Sequence, residues 1–318
     1  MNIIYRMYRE ADQADLISLW SEDSQWGKID AQKWKDIFLR PSLEPAQIVV
    51  AEDSNIKQIV GQFAFIPWRT LFKGRTVMAL RPFAPIIKKQ YRGSLQTVID
   101  MYRYGVQQLR SQYQLLYMLP DPLWVPLFRR IPSVVYSTFP LWGIPLPLNQ
   151  PFTLPEGYTA SLMEEWDERV DHLWTQASQL HEVMVVRNRT ALMSKSKIFN
   201  SKVTAVEYKG ELIGLGISGY KGDPQWLICD LLTVDTRDSL RATLMAVCNL
   251  AHTESLAPDL EKPLRRAAML MTPSIEPIAS SLGFSDGDYE FPMVVQILDS
   301  TLTKEDAAPK NWYVSAND

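Results

Sequence analysis

The stretch from Arg75 to Leu119 restricts the fold more than any other part of the chain. Arg75 to Phe83 reads as a strand and leads into a basic, glycine-bearing turn, Lys88-Lys89-Gln90-Tyr91-Arg92-Gly93-Ser94-Leu95. A helix is expected from about Ser94 to Ser111, because Val98, Met101, Tyr102, Gly105, Val106 and Leu109 recur at helical spacing and bury one face. Gln114 to Leu119 then carries only apolar or aromatic residues after its single Gln, the pattern of a strand buried on both faces. A turn of this kind at a helix start offers several backbone N–H groups to an anion, which suits a phosphorylated cofactor.

The length of 318 residues is enough for two domains of roughly 150 residues each. Pro140 to Pro155 holds five prolines and no charge, a stiff, extended stretch. It places the domain boundary at a linker over 146–155, between domains at 1–145 and 156–318. Before it, Ile3 to Tyr8, Gln47 to Glu52 and Gln58 to Pro67 read as strands, with helical stretches after Arg9 and over Ala31 to Phe38. After it the plan repeats loosely. Leu162 to Ser178 reads as helical, and Lys202 to Tyr208 and Leu212 to Tyr220 flank the hairpin turn Lys209-Gly210-Glu211. Trp226 to Val234, a helix over Ser239 to Thr253, Ala267 to Met271, a helix ending at Gly283, and Phe291 to Leu298 complete it. The chain is therefore expected to be a duplicated mixed α/β unit.

A formal charge of -3 and a pI near 5.8, with no basic face or tail, argue against nucleic acid as a partner. Cys229 and Cys248 are far apart in apolar contexts, and the three histidines show no ligand spacing, so neither a metal site nor a disulfide framework is expected. The early Arg6, Arg9 and Glu10 do not suit a signal peptide, and no long apolar run suits a membrane span. The expected location is the cytoplasm.

With this order of elements the chain resembles the GNAT (Gcn5-related N-acetyltransferase) superfamily, and most of all its double-domain members with a degenerate second domain. Glu52 to Pro67, with Ile59-Val60-Gly61-Gln62, is similar to that family's central hairpin. Lys89 to Thr97 is similar to its pyrophosphate turn, and Leu115 to Ile131 to the strand and short helix beside the acyl group. Val206 to Gly216 and Gly283-Phe284 resemble the same features in the second half. The resemblance implies two tandem GNAT-like domains, each a mixed, mostly antiparallel sheet flanked by helices. It implies acyl transfer from acetyl-CoA, or another acyl-CoA, to a small-molecule amine or amino-sugar acceptor, by a monomer or homodimer. The alternative it leaves is a catalytically inactive binding or scaffold protein on the same fold.

In the family's motif Gln90, Gly93 and Leu95 occupy the Gln/Arg, Gly and Gly/Ala positions. The backbone N–H groups of Tyr91, Arg92, Gly93, Ser94 and Leu95 would hold the pyrophosphate, with Lys89 and its neighbours adding charge. Leu95 departs from the motif, and a large side chain there is expected to crowd a phosphate. The matching turn Asp235-Thr236-Arg237-Asp238 has no glycine and two carboxylates, so the second half is expected to bind no CoA. For proton transfer the candidates are Glu52 at a strand end, Asp121 after the interior strand, and Tyr136. The bland roles are a turn carboxylate, a helix cap and packing. No catalytic role falls to His172, His181 or His252. Asp230, alone in an apolar strand, is either paired or lines a cleft, and Trp20, Trp26, Trp34 and Trp68 either wall a groove or fill the core.

Overall fold

The computed structural model describes residues 2–24, 26–93, 95–199, 201–220, 224–234, 236–257 and 262–318. The chain forms two compact units that interleave in sequence. The first holds residues 1–70, 76–118 and 295–307, the second 71–75, 119–294 and 308–318.

In the first unit, β1 (Ile3–Met7) is followed by α1 (Gln13–Asp23), α2 (Ala31–Phe38), β2 (Gln47–Asp53), β3 (Gln58–Phe72), β4 (Arg75–Ile87), α3 (Gln96–Leu109) and β5 (Leu115–Met118). The strands lie in that order across the sheet. β1, β2 and β3 are antiparallel, and β5 runs parallel to β4. Alternation is lost in β3 because nearly every residue from Ile59 to Trp68 is buried. α3 lays Val98, Met101, Tyr102, Gly105 and Leu109 against the sheet, the face expected from its spacing. Gly105 is required there: a Cβ would sit 2.3 Å from Cε2 of Phe65. Phe63, Phe65 and Tyr102 form an aromatic cluster beside it, with centroids 5.2 to 6.0 Å apart. Asp30 caps α2 by accepting from Lys33 N at 2.7 Å. α1 and α2 pack Trp20, Trp34 and Phe38 together, so those tryptophans and the buried Trp68 are core residues. Trp26 is 56% exposed and stacks on Phe83.

The second unit contains α4 (Val125–Phe128), β6 (Val134–Pro145), β7 (Tyr158–Leu162), α5 (Arg169–Ala177), β8 (Val183–Val185), α6 (Arg189–Phe199), β9 (Lys202–Tyr208), β10 (Glu211–Tyr220), β11 (Gln225–Thr233), α7 (Arg237–Ser255), β12 (Arg266–Leu270), α8 (Glu276–Ser281), most of β13 (Ser285–Ile297) and β14 (Trp312–Tyr313). Its strand order is β13-β6-β12-β11-β10-β9-β7, while β8 pairs with β14. Here too a hairpin, β9–β10, precedes a parallel pair, β11–β12, with a helix between its strands. Gly214 and Gly216 let α7 approach β10, since Cβ atoms there would lie 2.0 Å from Thr243 Oγ1 and 2.2 Å from Val247 Cγ2.

Two expectations change. The helix read over Leu162 to Ser178 begins only at Arg169, because residues 158–162 are an edge strand on β9 and Asp167 accepts from Arg169 N at 2.9 Å. Composition places one boundary in the proline-rich stretch, yet Pro140 and Pro145 lie in β6, which pairs with β12. Residues 146–155 belong to the second unit and are tied to it. Leu148 N donates to His252 Nδ1 at 3.1 Å, and Asn249 bonds both the N and O of Phe152. His252 therefore serves as an acceptor for the backbone.

The second unit buries a charge cluster. Arg187 Nε lies 2.8 Å from Asp230 Oδ1, and Lys195 Nζ lies 2.6 Å from Asp318 Oδ1 and 3.4 Å from Asp230 Oδ2. Arg187 also pairs with Asp318, and all four side chains are at most 1% exposed. Two cations and two anions balance, which is the condition for burying ions at all. Asp230 is thus paired. Truncation by Asp230→Ala would leave two buried cations sharing the single anion Asp318 and is expected to cost about 3–5 kcal/mol in urea unfolding. Burial raises the Asp318 carboxyl, but Arg187 and Lys195 outweigh it and hold the group below the usual range. A depressed folded value means that this stabilisation is complete above pH about 4 and is lost as pH falls below it. The unfolding midpoint of the wild type is expected to drop over that range, and that of Asp318→Asn to drop less.

Candidate functional site

β4 ends at Ile87, and residues 88–95 carry the chain to α3. Lys88 N donates to Val60 O at 2.8 Å, which anchors the turn to β3. Lys89 to Tyr91 form one 3-10 turn, in which Tyr91 N donates to Lys88 O at 2.8 Å and Arg92 N to Lys89 O at 3.3 Å. Two of the five amides expected to face a phosphate are therefore bonded inside the turn. Ser94 lies outside the described residues. For Gly93 and Leu95, no acceptor among the described residues takes the N–H. A Cβ on Gly93 would meet nothing within 4 Å, and Leu95 is 59% exposed. The leucine side chain is exposed, and the space beside the glycine is open.

Charge at the turn is set by one acid from α1. Asp23 Oδ1 accepts from Lys89 N at 2.8 Å and lies 3.5 Å from Arg92 Nη2, which also bonds the Asp23 carbonyl. Arg92 Nε donates to Ile87 O at 2.9 Å, and the Tyr91 hydroxyl donates to Asp53 at 3.0 Å. Lys89, Gln90 and Arg92 are exposed. Lys88 and Lys89 have no carboxylate partner among the described residues, so they carry the net positive charge of the turn.

Beside the turn the sheet opens. β4 and β5 stand opposite each other at Ala79–Leu115 and Leu80–Leu116, after which Arg81 to Ile87 run on without β5. Pro82 and Pro85 remove two donors from that stretch. Ala84 between them has φ +49°, a left-handed conformation that a non-glycine residue adopts only under constraint. The fully buried Gln62 donates from Nε2 to Ala84 O at 3.5 Å, while its Oε1 has no hydrogen-bond partner among the described residues. The result is an irregular edge of β4 with a buried amide oxygen beside it.

Each of the three acid–base candidates has a partner of its own. Glu52 faces β1 and is bound by Arg6, at 2.8 Å from Nη2 and 2.9 Å from Nε. Arg6 also holds Asp12 at 2.7 Å. Asp121, in the second unit, accepts from Leu123 N at 2.9 Å and caps the short turn before α4. Tyr136, in the same unit, lies under the Arg129 guanidinium at 3.9 Å. Sequence reasoning did not find Asp23, Gln62, Ala84 or Arg40. Only the Pro-x-x-Pro spacing around Ala84 hinted at any of them.

The second unit has a cavity of about 420 Å³ where β11 outruns β12, lined by His181, Leu231, Arg237, Ile278 and Tyr313 among others. The Tyr313 hydroxyl donates to Leu231 O at 2.7 Å, and burial, with Arg187 adding to it, pushes the His181 imidazole down to about 4. Thr236, whose hydroxyl caps α7 at Ser239 N, also lines it, and Asp235 lies outside the described residues. Among the described residues no group of three or more His, Cys, Asp or Glu could hold a metal ion, and no helix is long and apolar enough to cross a membrane.

No protein-family model matches the chain, and no curated protein matches it. Solved structures do. A conserved protein of Enterococcus faecalis described as a probable N-acyltransferase superimposes with a TM-score of 0.69 at 12% identity, over 94% of this chain and 73% of that one. A GCN5-related N-acetyltransferase of Anabaena variabilis gives 0.68 at 13% identity, over 94% and 73%. Saccharomyces cerevisiae N-myristoyltransferase with bound myristoyl-CoA gives 0.58 at 12% identity, over 93% and 79%. With a mixed sheet flanked by helices, this chain has a GNAT-like α/β fold.

Proposed function

We propose that the protein is an acyl-CoA-dependent N-acyltransferase made of two tandem GNAT-like domains, the first binding the acyl-CoA and the second degenerate. The observation that carries this reading is the opening of β4 from β5 after Leu80–Leu116, next to a basic turn at the start of α3. The residues fit the co-substrate. Gly93 and Leu95 offer amides without a partner among the described residues, Lys88 and Lys89 offer charge, and nothing stands over the glycine. The opened strands leave an extended edge for a pantetheine-like arm. Bound acyl-CoA supplies the activated acyl group.

The chain's own part is binding and orientation. The turn holds the diphosphate by backbone N–H groups and the positive end of α3. The edge of β4, bent at Ala84 and thinned of donors by Pro82 and Pro85, sets the thioester's depth. Fixing both partners in a reactive geometry accounts for a large share of such a rate enhancement. Glu52 and Asp121 are already committed to Arg6 and Leu123 N, so the reading gives neither of them a proton to carry.

A second reading, a GNAT-fold binding protein without turnover, draws support from Asp23. Its carboxylate already occupies the Lys89 amide and offsets Arg92. Calorimetric titration with acetyl-CoA separates the readings, with amide chemical shifts followed at Gly93 and Leu95. Heat competed by free CoA, shifts at those two amides and acetyl transfer to an amine are expected. Binding without transfer to any amine would favour the second reading, and no heat would sink both. Asp23→Asn removes the competing charge while keeping an acceptor for Lys89 N. It is expected to tighten acetyl-CoA by about two- to fivefold, the range of an exposed ion pair.

A further inference from the structure

Arg40 follows the last turn of α2 and has φ +49°. That is the position where a helix end ordinarily takes glycine, because only glycine adopts the left-handed region without strain. Here an arginine takes that conformation, as Lys57, Lys73 and Lys209 do elsewhere in the chain. The side chain is 2% exposed. Nη1 donates to Pro67 O at 2.6 Å and to Glu44 O at 3.1 Å, and the guanidinium carbon lies 4.2 Å from the centre of the Trp68 ring. These contacts fix both the plane and the rotation of the guanidinium. Nε and Nη2 have no hydrogen-bond partner among the described residues.

The two nitrogens left over are the parallel pair on one edge of the guanidinium, the fork that matches the two oxygens of a carboxylate. No carboxylate of this chain pairs with it among the described residues. Glu44, the nearest acid to act on Arg40, directs its carboxylate to Arg69 at 3.0 Å. Burial lowers Arg40 to about 10, Tyr117 and Glu44 partly offset that, and Arg81 lowers it further. With Glu44 acting only at a distance and no acceptor on its fork among the described residues, the buried cation carries a desolvation cost that a bound anion would offset. The place is informative too. Arg81 and Tyr117, which both act electrostatically on Arg40, are the first residues of β4 and β5 beyond their last pairing, so Arg40 lies near the head of the opened strands.

We propose that the acyl acceptor is an amine bearing a carboxylate, as in an amino acid, and that the Nε–Nη2 edge of Arg40 binds that carboxylate. This rests on the transferase reading for the role of the ligand, though not for its binding. Arg40 acts as a specificity-determining residue. It sets which amines dock, and it touches no bond that forms or breaks. Trp68 stacking and the two carbonyls on Nη1 pre-orient it, so little order has to be created on binding.

The test uses the full chain and a panel of N-acetyl amino acids with their matched N-acetyl amides, titrated calorimetrically, with acetyl-CoA titrated separately into the same protein. Wild type is expected to bind at least one acid about tenfold or more tightly than its amide, the scale of a charge-assisted bidentate pair. In transfer assays the free amino acid is expected to have the lower KM by a similar factor. Arg40→Lys keeps the charge but loses the fork, and is expected to erase the acid-over-amide preference. A purely structural Arg40 would lower stability and leave the preference intact, which would overturn the proposal. Equal binding of acids and amides by wild type would overturn it without any variant, as would preference for inorganic phosphate over every acid. The acetyl-CoA arm reports the underlying reading by itself. Acetyl-CoA heat with no acid preference removes only this inference, whereas acid preference without acetyl-CoA heat keeps the Arg40 site and removes the transferase.

Discussion

The parallel contact between β4 and β5 governs the first unit, and it is brief. Only Ala79–Leu115 and Leu80–Leu116 stand opposite each other before the strands part. Parallel strands need a crossover, which α3 supplies, and the crossover brings its own N-terminus to the top of the gap. The position of the basic turn is thus a consequence of chain connection. The irregularity of β4 follows as well. A strand that has lost its neighbour can accommodate Pro82, Pro85 and a left-handed Ala84, none of which a central strand would tolerate.

Two different kinds of buried charge appear in the molecule, and the contrast between them is instructive. Arg187 and Lys195 are matched by Asp230 and Asp318, with short contacts on every side, so the cluster is closed. Arg40 has backbone carbonyls on one nitrogen, an aromatic ring on its face, and no hydrogen-bond partner on its outer edge among the described residues. The same low-dielectric surroundings stabilise the first arrangement and leave the second incomplete. Completeness of pairing, rather than burial, separates a structural ion from one with a recognition role.

The local parts of this fold are legible in the sequence. The apolar spacing of α3 places its buried face correctly, and the unbroken apolar run marks β5 as interior. Asp121 as a cap is also readable, since its partner is two residues away. Contacts between distant residues are not readable. Asp23 meets Lys89 across 66 positions, and Arg40 meets Pro67 across 27, with no repeating pattern to signal either. Arg40 in Phe-Leu-Arg-Pro reads as an ordinary basic residue at a helix end. Nor does composition reveal how residues 146–155 are held. Proline content describes their stiffness, while the anchors that fix them, Asn249 and His252, sit about a hundred residues later on α7.

Asp23 gives the first turn a tethered negative charge. Because α1 delivers this carboxylate, its effective concentration at the Lys89 amide is set by the fold and cannot be diluted away. An anion at the Gly93 and Leu95 amides of the proposed site would leave the Asp23–Lys89 bond in place and meet only the negative charge of the carboxylate. That charge weakens every anionic guest alike, so it shifts the concentration at which the turn fills without choosing among guests.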